Sequence, residues 1–312
     1  MERSFGPMGV NKLCFEHLVM FDKNGAQLLP NLAESWKVSK DAKTYTFKLR
    51  EGIRWSDGTP LTTEDVRFWY EDVFLNKELT PSFPSWLTSG GKPLEIEIGD
   101  KYTFTVKFAE PNPLFLITMA KLGYNMFVLP ANYLKQFHPK YTPKEKLDAM
   151  TKEAGLQFWY QLFGIKGGDT SGWLQNPELP VLYPWRAITL PTASIMVLER
   201  NPYYWKVDPA GNQLPYIDKV SSILVDNNEM VVMKALSGEL DFQVRNIGIA
   251  DYTLLMENRA KGDYRVLKWK QGMGSDLALY PNQNVKDPVL RSLFQDRRFR
   301  QALSIAINRD AI

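Results

Sequence analysis

Residues 31–66 carry the densest structural signal in the sequence and read NLAESWKVSKDAKTYTFKLREGIRWSDGTPLTTEDV. The run 44–50 alternates apolar and polar side chains, which predicts a strand with one buried face. The Asp57-Gly58 pair has the composition of a tight turn, and Pro60 prevents further strand pairing. The stretch therefore predicts a half-buried strand that ends in a turn.

A helix is predicted directly after this turn. Thr62 is a candidate N-cap, and Asp65 follows three residues later at the spacing of a capping box. Apolar side chains then recur at helical spacing at Val66, Trp69, Tyr70 and Val73. A second alternating run, 101–108, is similar to 44–50 and is predicted to lie in the same sheet.

Later parts of the chain give further local predictions. Thr142 and Pro143 have the composition of a helix start, and the helix is predicted to run to about Phe163. The following stretch, 164–180, is rich in glycine, asparagine and proline and is predicted to be a long loop. A strand is predicted at 264–269, where β-forming side chains follow a glycine.

Composition excludes several classes of protein. The 312 residues are 44% hydrophobic and 23% charged, which is typical of a folded globular chain. The net charge of +3 is dispersed, so no basic stripe indicates a nucleic-acid partner. Cys14, His17 and His138 are the whole cysteine and histidine content, so neither a metal site nor a nucleophile pattern is predicted. No cofactor and no catalytic residue are expected.

The stretch 31–66 resembles the signature of the family 5 extracellular solute-binding proteins, the receptors of bacterial ABC importers for peptides and oligosaccharides. Four later segments are also similar to the family, and they are RNPYYW at 200–205, PYIDK at 215–219, ALSGELDF at 235–242 and DRRFRQALSIAINRD at 296–310. Within the signature, Trp36, Trp55 and Asp57 are interpreted as determinants of the fold rather than as ligand contacts.

The resemblance implies an α/β fold of the type II periplasmic-binding-protein class, in which a mixed-sheet domain carries an inserted α+β subdomain. Residues 1–17 with 181–272 are expected to form domain I, and 18–180 the inserted subdomain. Residues 273–282 are expected to cross a hinge, because the nearby Gly272 and Gly274 permit large backbone rotations. Residues 283–312 would begin a domain II that is largely absent, so the chain is expected to be an N-terminal fragment.

Aromatic residues in two loops are candidates for ligand binding. Phe83 and Trp86 lie in a proline-punctuated loop, and Trp173 lies in the middle of the loop at 164–180. These rings either stack on a ligand or fill the adjacent core, and the sequence leaves both alternatives open. The resemblance further implies that the backbone near Arg3 and Phe5 lies along the ligand cleft, and it implies polar cleft contacts from two more residues, Arg245 and Asn246.

The function implied by the resemblance is capture of a small oligomeric ligand between two lobes, closure by hinge motion and delivery to ABC permease subunits. An oligopeptide is the expected ligand, and an oligosaccharide is the alternative within the family. A periplasmic or extracellular location is implied, and a lipoprotein anchor upstream is compatible with it.

Two other classes of function are less well supported by the sequence. A glycoside hydrolase would need two paired carboxylates, and no spacing pairs the candidate acids Glu95, Glu97, Glu110, Glu239 and Asp241. A pure interaction module would have no ligand cleft.

Overall fold

The computed structural model describes residues 16–122, 127–168, 176–190, 193–244, 246–268 and 278–309. Contacts divide the chain into two units. Unit 1 comprises Met1–Met233 with Phe242–Ile247, and unit 2 comprises Lys234–Asp241 with Gly248–Ile312. The predicted boundaries between domains I and II and the inserted subdomain stay predictions. The hinge predicted at 273–282 also stays a prediction, and half of it, 273–277, falls outside the described residues.

The main sheet of unit 1 has four antiparallel strands in the order β3-β4-β8-β7. These strands are β3 (Ala33–Val38), β4 (Thr44–Leu49), β7 (Glu95–Ile98) and β8 (Thr103–Lys107). The strand predicted at 44–50 is thus confirmed, and so is its pairing with the second alternating run, since Thr44 lies opposite Lys107.

One face of the main sheet supplies the hydrophobic core of unit 1. Tyr45, Phe47 and Leu49 are buried on this face, as the alternation predicts. Phe47 pairs with Phe104 on the neighbouring strand, and their rings stack with centroids 5.3 Å apart. On the other face, the hydroxyl groups of two threonines, Thr46 and Thr105, share a hydrogen bond of 3.0 Å. The period-2 pattern therefore separates an apolar face from a polar one.

A second antiparallel sheet has the order β11-β10-β9 and comprises β9 (Trp185–Ala187), β10 (Ile195–Arg200) and β11 (Lys219–Ile223). Two short strand pairs complete the described sheets, namely β1 (Val19–Phe21) with β2 (Leu28–Pro30), and β5 (Thr88–Ser89) with β6 (Lys92–Pro93).

The helices alternate with these strands and make the protein an α/β protein. The α-helices of the described residues are α1 (Thr63–Arg67), α2 (Phe115–Leu122), α3 (Ala131–Leu134), α4 (Lys144–Glu153), α5 (Trp159–Phe163), α6 (Asn228–Leu236), α7 (Tyr252–Asn258), α8 (Pro288–Gln295) and α9 (Arg297–Ala306). Two π-helical segments (Phe68–Phe74 and Gly164–Gly168) and three 3-10 segments (Ser85–Leu87, Lys135–Phe137 and Ile249–Asp251) adjoin them.

Helix α1 begins with the capping box that the sequence predicts. The Thr62 hydroxyl accepts a hydrogen bond from the Glu64 amide at 3.2 Å, and the Asp65 carboxylate accepts one from the Thr62 amide at 3.0 Å. These bonds satisfy amide groups that have no partner within the helix. The helix then widens into the π-helix Phe68–Phe74, a change that the spacing of the apolar residues did not predict.

Three predicted elements differ from the structure. One is the loop predicted at 164–180, whose first five residues, Gly164–Gly168, form a π-helical segment. The helix predicted from Pro143 to Phe163 is wrong in its length, because α4 ends at Glu153 and a separate α5 begins at Trp159. Gly155 has a φ of 70°, a left-handed conformation that ends a right-handed helix and that glycine adopts without strain. The strand predicted at 264–269 is not formed over 264–268, the part of it that the structure describes.

Unit 2 ends in two consecutive helices with side-chain caps. The Asp287 carboxylate accepts hydrogen bonds from two amides at the start of α8, and the Asp296 carboxylate accepts one from the Arg298 amide at the start of α9. The helices contact each other through Phe294 and Phe299, whose ring centroids are 6.1 Å apart. The capped helix predicted at 296–310 is therefore confirmed as α9, although α9 ends at Ala306, earlier than predicted.

Candidate binding site

Three of the seven predicted ligand-binding residues lie in the described part of the chain, and they are Phe83, Trp86 and Asn246. The other four, Arg3, Phe5, Trp173 and Arg245, lie outside the described residues. The roles of all seven in ligand binding stay predictions.

Phe83 and Trp86 are anchored in the same aromatic cluster. The ring of Phe83 lies 4.8 Å from that of Phe74 and keeps 38% of its surface exposed. Trp86 is half-buried, and its ring packs against Phe115 at 6.0 Å and Phe127 at 6.2 Å. Each ring therefore contacts the core on one side and retains exposed surface, so the geometry is compatible with both alternatives of the sequence analysis.

Asn246 lies in the short segment of unit 1 that follows α6. Its side chain is exposed, and its backbone has a φ of 60°, in the left-handed region that asparagine tolerates better than most residues. The described residues show no ring contact or hydrogen bond that joins Asn246 to Phe83 or Trp86.

A buried ionic cluster joins the start of the described chain to the RNPYYW segment. The Glu16 carboxylate accepts hydrogen bonds from the Tyr204 hydroxyl at 2.5 Å, from Lys206 Nζ at 2.9 and 3.0 Å, and from Asn31 Nδ2 at 2.7 Å. The Glu16 side chain is only 4% exposed. These donors compensate a carboxylate that would be costly to bury alone. Sequence reasoning missed this cluster, because its members are far apart in the chain.

Burial also shifts the pKa of groups near the signature stretch. Asp65 accepts hydrogen bonds from the Thr62 and Ala131 amides and from the Trp55 indole, yet burial raises the pKa of its carboxyl to about 6. Burial lowers the pKa of His17, whose Nδ1 lies 2.8 Å from the Ala120 carbonyl oxygen. Burial likewise lowers the pKa of His138. Asp65, His17 and His138 each form hydrogen-bonding contacts with other residues of the fold.

The described residues contain no group of three His, Cys, Asp or Glu side chains placed to hold a metal ion. None of the helices in the described ranges is both long and apolar enough to cross a lipid bilayer.

Comparison with known proteins adds a family and several relatives. The family described as "Bacterial extracellular solute-binding proteins, family 5 Middle" matches residues 27–312. A periplasmic alpha-galactoside-binding protein of Rhizobium meliloti (strain 1021) is 30% identical over 303 residues, which cover 94% of this chain and 40% of the relative. The periplasmic oligopeptide-binding protein OppA of Salmonella typhimurium is 28% identical, with 97% and 49% covered. The chain thus spans less than half the length of these two relatives.

Two solved structures are similar over nearly the whole chain. An oligopeptide-binding protein OppA has a TM-score of 0.80 and 46% identity, with 97% of this chain and 47% of that chain covered. The periplasmic binding protein MelB from Agrobacterium fabrum C58, in complex with stachyose, has a TM-score of 0.68 and 27% identity, with 97% and 44% covered. Both likenesses agree with the α/β fold of periplasmic binding proteins that the sequence predicts.

Proposed function

Since this chain belongs to the bacterial extracellular solute-binding proteins of family 5, we propose that the full-length protein captures an oligopeptide and delivers it to the permease of an ABC importer. The assignment of an oligopeptide as the ligand is supported by the similarity to an oligopeptide-binding protein OppA, at 46% identity and a TM-score of 0.80. Among the likenesses described above, this one has the highest identity. Capture requires no chemical step on the ligand.

An oligosaccharide is the second candidate ligand. It is favoured by the alpha-galactoside-binding relative at 30% identity and by the stachyose complex at 27% identity. The partly exposed rings of Phe83 and Trp86 would suit this ligand, because the C–H groups of a sugar ring pack against aromatic faces.

The proposed ligand contacts are those predicted from the sequence. Phe83 and Trp86 would offer the exposed parts of their rings, and Asn246 would offer its exposed amide. Closure of two lobes about a hinge would then exclude water from the ligand. The working compartment is the periplasm or the cell exterior, with or without a lipid anchor, as the periplasmic relatives support.

The test is to identify the ligand of the full-length protein. Native mass spectrometry detects a co-purified ligand, and titration with a peptide library and with a panel of oligosaccharides measures affinity by tryptophan fluorescence. We expect peptides to bind and oligosaccharides to leave the signal unchanged. The reverse result would replace the oligopeptide with the second candidate, and binding of neither class would contradict the solute-binding function itself.

A further inference from the structure

An open polar groove of about 680 Å³ lies in unit 1, and its lining includes none of the residues Phe83, Trp86 and Asn246. Two segments form most of it, 48–54 at the end of β4 and 203–205 in the RNPYYW segment, and Glu34 completes the lining. Arg50 and Arg54 both line this groove, which we call the arginine groove. Sequence reasoning missed it, because its two segments are far apart in the chain.

Both arginines are held in place by the fold. Arg50 Nε donates a hydrogen bond of 2.8 Å to the Asn31 carbonyl oxygen, and its guanidinium lies 5.3 Å from the centre of the Trp205 ring. Arg54 Nη1 donates a hydrogen bond of 2.8 Å to the Gly58 carbonyl oxygen. These contacts restrain both side chains before any partner arrives, which lowers the entropic cost of binding.

Gly58 also positions an aromatic wall of the arginine groove. Its φ is 86°, and a Cβ at this position would lie 3.1 Å from the Tyr203 ring. Tyr203 packs against the glycine while 44% of its surface stays exposed. The turn in the signature stretch thus holds both Arg54 and Tyr203 at the groove.

The charges of the arginine groove are not balanced evenly. Lys48 Nζ lies 3.2 Å from Glu34 and 3.8 Å from Glu51, so the two glutamates of the lining share this lysine. No carboxylate of the described residues lies within 4.0 Å of the Arg50 or Arg54 guanidinium. A guanidinium carries five N–H donors, and these two retain donors that can bind carboxylate oxygens in a bidentate manner.

The shape of the arginine groove favours a macromolecule over a small ligand. Sites for small molecules are concave and mostly apolar, whereas this groove is open and lined largely by charged side chains. Arginine, tyrosine and tryptophan are the residues that most often dominate the energy of protein interfaces. We propose that the arginine groove is a docking surface for an acidic, carboxylate-bearing segment of a partner protein. This inference does not depend on the function proposed above.

The test uses the full-length protein and fluorescein-labelled poly-L-glutamate as the probe, with binding followed by fluorescence anisotropy. Arg54→Met removes one guanidinium that has no carboxylate partner among the described residues. Arg50→Lys keeps the positive charge but removes the planar set of donors. The matched control is Arg67→Met, because Arg67 is exposed to 46%, pairs with Glu64 and Glu71 on the helix, and lies outside the groove lining. Any binding of the probe in the ligand cleft is expected to be equal in the wild type and the three variants, so it does not affect the differences between them.

We expect Arg54→Met and Arg50→Lys each to weaken binding of the probe about tenfold, and Arg67→Met to leave it unchanged. An equal loss in Arg54→Met and Arg67→Met, with binding by Arg50→Lys unchanged, would mean attraction by net charge alone and would overturn the inference, as would undiminished binding by Arg54→Met. Competition by citrate is the final arm. If citrate displaces the probe at the same carboxylate concentration, the groove is a site for small anions and the docking surface is rejected.

Discussion

Trp86 stacks on Phe115, with ring centroids 6.0 Å apart and ring planes 29° apart. Phe115 is fully buried and also contacts the rings of Tyr45, Phe47, Phe108 and Phe127. The loop that carries Trp86 is therefore fixed to the centre of the aromatic core. A ligand that stacks on the exposed part of Trp86 would meet a ring whose orientation the core has already set.

Trp86→Ala tests this residue in two ways. We expect the free energy of unfolding to fall by about 3 kcal/mol, because a large ring is removed from the core. We also expect ligand affinity of the full-length protein to fall about tenfold. Urea unfolding and ligand titration measure the two effects separately. Phe158→Ala is the control, since Phe158 is 43% exposed and stacks on Tyr160 rather than on the buried Phe115. Undiminished affinity in Trp86→Ala would assign Trp86 to the core alone.

The Glu16–Lys206 pair yields a prediction about stability. Lys206→Met leaves the Glu16 carboxylate, which is 4% exposed, without its cationic partner. We expect unit 1 to lose about 3–5 kcal/mol of stability in this variant. Tryptophan fluorescence during urea unfolding reports on unit 1, because only Trp269 of the nine tryptophans lies in unit 2.

The double variant Glu16→Gln, Lys206→Met is the control for this pair. With both charges removed, no unpaired ion is buried, so we expect it to be more stable than Lys206→Met alone. If the double variant lost as much stability as Glu16→Gln and Lys206→Met lose together as single variants, the two groups would not interact energetically.

The Asp65 carboxyl predicts a pH dependence of stability. Its pKa is raised from 3.8 to about 6 by burial, so the folded protein holds this proton at pH values where the unfolded chain has lost it. Stability from this group is therefore present below about pH 4 and is lost as the pH rises to about 6. The change amounts to roughly 3 kcal/mol at most. We expect the stability difference between wild type and Asp65→Asn to shrink by this amount between pH 4 and 7, whereas a constant difference would contradict it.

Helices α8 and α9 expose apolar side chains, with Val289 exposed to 75% and Ile305 to 81%. The other large apolar residues of the helix predicted at 296–310, which are Phe299, Leu303 and Ile307, are half-buried. We expect the 312-residue chain to associate as its concentration rises, because exposed apolar surface promotes contact between copies. Sedimentation velocity measures this. Val289→Glu with Ile305→Glu should suppress the association, and a monomer at every concentration would refute the prediction.

The fold was predictable where local chemistry decides it. The alternation in 44–50 and the Thr62–Asp65 box are short-range patterns, and the structure contains both. The break between α4 and α5 is marked in the sequence by Gly155, whose φ of 70° is incompatible with a continuous right-handed helix. The π-helix Phe68–Phe74 leaves no such trace, because its buried residues have nearly the spacing of an α-helix.

The candidate sites were less predictable, because they depend on contacts between distant segments. Arg54 and Tyr203 meet at Gly58, and no local pattern in either segment indicates the other. Exposed rings such as Phe83 can be found by composition, but sequence spacing does not reveal that its ring rests on Phe74.

The separation of Glu16 from Tyr204 by 188 residues has a consequence for biosynthesis. A ribosome that adds about 5–20 residues per second needs roughly 10–40 s to make the chain between them. All four strands of the main sheet, which end at Lys107, leave the ribosome within that interval. The residues of the sheet are thus available for pairing before Tyr204 and Lys206 have been made. The Glu16 carboxylate can bind the Tyr204 hydroxyl and the Lys206 ammonium group only after the whole stretch 16–206 has been synthesised.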